Sequence, residues 1–107
     1  MSPDPRAALL AISRRASDLL AAHGEHHWAD ALTLGIRRLE GADPVAVPML
    51  GETARSALAS PALLLARDRG HPLSRAEQAR ANAELRSTLI ELDALATALS
   101  EGDADAF

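Results

Sequence analysis

Apolar residues recur at intervals of three and four along most of the chain, which is the pattern of amphipathic α-helices. The first run predicts a helix over residues 6–23, and one face of it carries Leu9, Ile12, Ala16, Leu19, Leu20 and His23. The second run predicts a helix over residues 25–40, whose inner face carries Trp28, Leu32, Gly35, Ile36 and Leu39. Gly24 alone separates the two runs, so we expect these helices to form a tight antiparallel hairpin.

The middle of the chain carries weaker signals. A third helix is expected over about residues 47–59, and Ser60-Pro61 is expected to break or kink it. Residues 61–69 could continue as a short helix with a new axis. They could also be extended, because periodicity does not settle the conformation of so short an apolar run.

The longest stretch without Pro or Gly follows Ser74 and ends before Gly102, and it predicts a helix over residues 75–100. Ser74 and Glu77 have the spacing of a capping box, in which the two side chains satisfy backbone amides at a helix start. Gly102 suits the left-handed step that follows many helix ends. Residues 1–5 and 102–107 are expected to be flexible ends of a single helical domain.

This long helix is apolar on two faces. The expected core face carries Ala81, Leu85, Leu89, Leu92, Ala96 and Leu99. A roughly opposite face carries Ala76, Ala79, Ala83, Ile90 and Ala94. Either alanine is abundant here simply because it is a good helix former, which leaves Ile90 as one exposed residue, or this face contacts a partner.

The candidate interaction surface is drawn from that second face and the acidic residues beside it. Glu91 and Asp93 begin a C-terminal stretch that contains five acids and no base. An acidic surface of this kind could dock on a basic partner. The predicted interaction residues are Ala76, Ala79, Ala83, Ile90, Glu91 and Asp93.

Composition narrows the classes of protein that this chain could represent. The chain has no Cys, which excludes disulfides, thiolate metal sites and a Cys nucleophile. Its net charge of -4 argues against nucleic-acid binding, which needs a concentrated positive surface. No apolar run is long enough for a membrane span and no signal peptide is visible, so a cytoplasmic protein is expected. All eleven basic residues are Arg, which is typical of a GC-rich bacterial genome.

The candidate chemistry is confined to a histidine cluster. His23, His26 and His27 lie around Gly24, and Asp30 follows His26 by four residues, a spacing at which two side chains can share a metal ion. The favoured interpretation is structural: His23 packs against Trp28 or bonds a backbone carbonyl, and the others are at the surface. Trp28 is expected to be a core anchor of the hairpin.

Two segments resemble an uncharacterised family of small bacterial all-helical proteins. One segment is Leu19-Leu-Ala-Ala-His-Gly-Glu-His-His-Trp28-Ala-Asp together with Ile36-Arg-Arg-Leu-Glu-Gly-Ala-Asp43, and the other runs from Gly70-His71 to Glu77-Gln-Ala-Arg-Ala-Asn82-Ala-Glu-Leu85. The centre of that family carries a GGMGSLND-like sequence. Here the corresponding region reads Met49-Leu-Gly51-Glu-Thr-Ala-Arg-Ser56-Ala-Leu58, so the motif is largely missing. The resemblance implies the architecture and no particular chemistry.

The sequence therefore predicts an all-α fold, a small four-helix bundle with a short or kinked third helix and a long C-terminal helix. No phosphate-binding loop, nucleophile elbow or supported carboxylate pair is present, so neither an enzyme nor a cofactor is expected. The leading expectation is a cytoplasmic protein-interaction or regulatory module that binds a protein partner or itself as a homodimer, such as an immunity-like or inhibitor protein. The alternative is a metal- or small-ligand-binding bundle that uses His23, His26, His27 and Asp30.

Overall fold

The fold is an all-α bundle of four helices, as the sequence predicts. The computed structural model describes residues 4–60, 63, 65–68 and 70–106, with only the backbone described for residues 102–106. Within them, the helices are α1 (Pro5–Ala22), α2 (His26–Glu40), α3 (Ala46–Ala59) and α4 (Arg75–Ala106). Two short antiparallel strands, β1 (Arg67–Asp68) and β2 (His71–Pro72), come between α3 and α4 in the order of the chain. Around the bundle, α1 packs against α2 and α4, and α3 likewise packs against α2 and α4.

The core is built from leucine and alanine, because these residues supply apolar surface without lowering helix propensity. Its fully buried large side chains are Leu9, Leu20, Leu32, Leu50, Leu65, Leu89 and Leu92. Trp28 was expected among them, but it is only partly buried and packs against the edge of the core. Its ring meets the His27 ring edge-on, at a centroid distance of 5.0 Å.

Two helix ends use the left-handed backbone conformation. At the end of α1, Gly24 has φ +82°, and the amides of Gly24 and Glu25 bond the carbonyls of Ala21 and Leu20. This pair of hydrogen bonds is a Schellman motif, and Gly supplies the left-handed conformation that the motif requires without steric cost. At the end of α2 the left-handed residue is Ala42, with φ +58°, rather than the neighbouring Gly41.

One expectation about helix extent was wrong. The last helix was expected to end before Gly102, but the helical backbone continues to Ala106, since Gly disfavours a helix by only about 1 kcal/mol. Of the two conformations left open after α3, the extended one is found at Arg67 and Asp68, which pair with Pro72 and His71 as strands. The expectations for residues 1–3, 61–62, 64, 69 and 107 lie outside the described residues.

The predicted capping box at the start of α4 is confirmed. The Glu77 amide donates to Ser74 Oγ at 3.2 Å, and the Ser74 amide donates to Glu77 Oε1 at 3.2 Å. Hydrogen bonding of the Glu77 carboxylate with the side chain and the backbone of Ser74 lowers the pKa of Glu77 below its ordinary value of 4.5, with a smaller contribution from the positive charge of Arg80. The capping box therefore favours the ionised carboxylate.

Replacing Ala42 by Gly should raise the free energy of unfolding by about 0.5–1 kcal/mol, because a Cβ is disfavoured at a positive φ. Gly24→Ala is the reciprocal control and should lower it by a similar amount, since Gly24 has φ +82°. Urea denaturation of both variants measures the two changes. Equal effects of the same sign would contradict the left-handed assignment.

The lowered pKa of Glu77 should be visible in an NMR titration of its side chain. Because the folded pKa lies below the unfolded one, the stabilisation from this carboxylate is complete above pH 4.5 and is lost as the pH falls through the folded pKa. In Ser74→Ala the pKa should move back toward 4.5. An unchanged pKa of Glu77 in that variant would mean that the Ser74 side chain does not cause the lowered pKa.

Candidate interaction surface

The side of α4 that points away from the bundle is apolar and exposed. We define the outer face of α4 by its five apolar residues, Ala76, Ala79, Ala83, Ile90 and Ala94. All five are exposed, and Ile90 exposes 52% of its surface. Exposed alanines are ordinary on a helix, because alanine is the best helix former, but the large β-branched side chain of Ile90 in the same row is not explained by helix propensity.

This face stays uncovered because α4 packs in one direction only. Its core residues Leu85, Leu89, Leu92 and Ala96 expose 3% or less. They meet α1 and α3, and two ion pairs fix α4 against these helices at its flanks. Arg15 on α1 lies 3.3 Å from Glu84, and Arg55 on α3 lies 2.7 Å from Asp93.

The acidic residues predicted beside the surface occupy different places. Glu91 is exposed next to the outer face, together with Arg86 and Ser87 around an open hollow at Ile90. Asp93 is turned toward α3, where its carboxylate pairs with Arg55, so it does not share the outer face. The structure thus brings together five of the six predicted interaction residues on one side and separates Asp93 from them.

A concave site adjoins the outer face. We name it the α3–α4 cleft; it has a volume of about 410 Å³ and is lined by Ala57, Leu58, Ala59, Ser60, Leu63, Asn82, Ala83, Leu85, Arg86 and Leu89. Ala83 and Arg86 line both the cleft and the hollow at Ile90. The apolar surface therefore continues from the outer face of α4 into the cleft.

Asn82 builds one wall of the cleft. Its Oδ1 accepts a hydrogen bond from the Leu65 amide at 2.8 Å, and its Nδ2 donates to the carbonyls of Leu65 at 3.1 Å and Gln78 at 2.8 Å. These bonds satisfy the backbone of Leu65, which lies after the end of α3 and whose side chain is fully buried. The amide side chain thus fixes the chain after α3 against α4.

The histidines are not gathered into one site. His23 Nδ1 bonds the Arg67 carbonyl at 2.7 Å, which ties the end of α1 to β1, whereas His26 and Asp30 are exposed on α2. His27 contacts Trp28. Among the residues that the structure describes, no three His, Asp or Glu side chains lie close enough together to hold a metal ion.

Comparison with known proteins finds no relative of this chain. No family model matches the chain, and no curated protein and no solved structure matches it. The resemblance to a family of small bacterial helical proteins therefore stays a prediction from the two sequence segments. Over the described part of the chain, no helix is both long and apolar enough to cross a lipid bilayer.

Sequence reasoning missed the cleft. Leu63 lines it, but this residue belongs to the region whose conformation the periodicity left open. The available signal was Asn82, a half-buried polar residue next to the apolar face of a long helix. Such a side chain needs hydrogen-bond partners from another segment of the chain.

Asn82→Ala should lower the free energy of unfolding by about 1–3 kcal/mol, because the partly buried amide and carbonyl of Leu65 lose their partner. The Leu65 amide should also exchange its hydrogen faster with solvent. Gln78→Ala is the matched control, since Gln78 contributes its backbone carbonyl and not its side chain. Unchanged exchange at Leu65 in Asn82→Ala would contradict this role.

Proposed function

We propose that the protein is a non-catalytic protein-interaction module that binds through the outer face of α4. The observation that carries the proposal is the exposure of Ile90, 52%, in a row with four exposed alanines. Burying this side chain against a partner would contribute free energy in proportion to the apolar area removed from water, about 25 cal/mol per Å². The flanking alanines are small enough to let another helix approach closely.

The partner that fits this face best is a second copy of the chain, with the two α4 helices antiparallel. If the two-fold axis crosses the outer face at the level of Leu85 along α4, Ile90 of one copy lies at the level of Ala79 in the other. Ala94 then lies opposite Ala76, and Ser87 lies opposite Ala83. Each large side chain thus meets a small one, which is the condition for interdigitated helix packing.

The flanking charges agree with the same register. Arg80 and Glu91 lie on the same side of the outer face, and in the antiparallel pair each Arg80 comes to the level of Glu91 in the other copy. Neither residue takes part in an ion pair among the described residues. Arg86 opposes association, because the two Arg86 side chains approach each other near the axis. Two attractive pairs therefore stand against one repulsive pair.

The biological role that we propose for such a module is regulatory, as an immunity-like or inhibitor protein in a bacterial cytoplasm. This proposal rests on the composition and on the absence of a catalytic motif in the sequence. The alternative, a metal- or ligand-binding site at His23, His26, His27 and Asp30, gains no support from the described residues, because His23 bonds a backbone carbonyl and Asp30 is exposed on α2.

Replacing Ile90 by Arg should abolish self-association and change the free energy of unfolding by no more than about 0.5 kcal/mol, because Ile90 is exposed in the single copy. Leu34→Arg is the matched control: Leu34 exposes 48% of its surface but lies on α2, so its replacement should leave the dimer intact. Sedimentation equilibrium of each protein over a range of concentrations measures the molar mass.

A charge exchange tests the register separately. Arg80→Glu and Glu91→Arg should each weaken the dimer, and the double variant should restore it, because the ion pair is then rebuilt with reversed sign. A single-chain mass up to concentrations of about 1 mM would contradict the homodimer, since that limit corresponds to only about 4 kcal/mol of binding free energy.

A further inference from the structure

The α3–α4 cleft has the size and lining of a site for a small molecule. Its volume of about 410 Å³ lies within the range of roughly 300–1,000 Å³ that is usual for ligand pockets. Leu58 and Leu63 form part of its apolar lining, and Leu85 and Leu89 are core residues that expose 3% and 1%. An occupant would therefore contact the core of the bundle.

Among the described residues that line the cleft, three carry polar side chains, Ser60, Asn82 and Arg86, and Arg86 alone of these is charged. Asn82 is already committed to the Leu65 backbone and the Gln78 carbonyl. Arg86 is exposed, and its guanidinium takes part in none of the ion pairs among the described residues. A planar guanidinium can donate two parallel hydrogen bonds to a carboxylate.

We propose that the cleft binds a monocarboxylate with an aliphatic chain, of the medium-chain fatty-acid class. The chain lies against Leu58, Leu63 and Leu89, and the carboxylate pairs with Arg86. The cleft is already formed in a single chain, because the leucines that line it are not part of the outer face of α4, although Ala83 and Arg86 lie in both.

The charge balance favours a single carboxylate over a multiply charged anion. The protein carries a net charge of -4, and Glu84 and Glu91 lie on the same helix as Arg86. One guanidinium can neutralise one negative charge, whereas a further charge on the ligand would be repelled and would lack a partner. The apolar lining supplies the remaining affinity only if the ligand has a hydrophobic body.

The test is an NMR titration of the ¹⁵N-labelled full chain with sodium octanoate, below the concentration at which octanoate aggregates. Saturable shifts are expected at the amides of residues 57–60, 63, 82, 83, 85, 86 and 89, which line the cleft. Octan-1-ol should bind about tenfold more weakly, because it lacks the charge that pairs with Arg86. Inorganic phosphate should produce no saturable shift.

Variants separate the charge from the apolar lining. Arg86→Gln should weaken octanoate about tenfold and leave octan-1-ol unchanged. Arg75→Gln is the control, because it removes the same charge from α4 at an exposed residue outside the cleft. Ala59→Trp, at an exposed residue of the lining, should obstruct both ligands.

Any of four results would overturn the proposal. These are no saturable shift with octanoate, equal affinity for octanoate and octan-1-ol, unchanged octanoate binding in Arg86→Gln, and phosphate binding as tight as octanoate. The last result would make Arg86 a simple anion site. The titration of Ile90→Arg, which is expected to be a single chain, shows whether octanoate binding survives without the dimer.

Discussion

The packing of Leu50 against a glycine on the neighbouring helix determines how close the helices of this bundle can come. A Cβ on Gly35 would lie 2.6 Å from Leu50 Cδ2, so α3 can insert its leucine into α2 only because that position lacks a side chain. The next residue, Gly51, faces the other way, and a Cβ there would lie 3.1 Å from the Cβ of Ala96 on α4. Gly35 and Gly51 allow α3 to pack closely against α2 and α4. The conformational cost of glycine in a helix, about 1 kcal/mol for each, is offset by these packing contacts.

The helix α4 has one covered face and one open face. Its inner residues Leu85, Leu89, Leu92 and Ala96 are buried against α1 and α3, and this burial fixes its rotation about its own axis, whereas the exposed ion pairs Arg15–Glu84 and Arg55–Asp93 contribute little. The helix is about 48 Å long at 1.5 Å per residue, whereas α1, with 18 residues, spans about 27 Å. The long axis of the molecule, 49 Å, matches the length of α4.

The sequence predicted those features that rest on local chemistry or on a long periodic pattern. The four helices, the hairpin turn at Gly24 and the Ser74–Glu77 capping box all belong to this group. It failed where tertiary contacts decide: Asp93 looked like part of an acidic surface but pairs with Arg55. The α3–α4 cleft was missed, because a single polar residue, Asn82, fixes a segment that has no periodicity of its own.

Arg86 connects the two proposed binding surfaces, since it lines both the cleft and the hollow beside Ile90. In the proposed antiparallel dimer its charge would lie near the symmetry axis, facing Arg86 of the other copy. A carboxylate bound to Arg86 in the cleft would neutralise this charge and so remove a repulsion between the two chains. By linkage, the ligand must then favour the dimer by the same factor by which the dimer favours the ligand. If both proposals hold, one arginine thus makes the association of the chain respond to a small apolar anion, without any change in the packing of the helices.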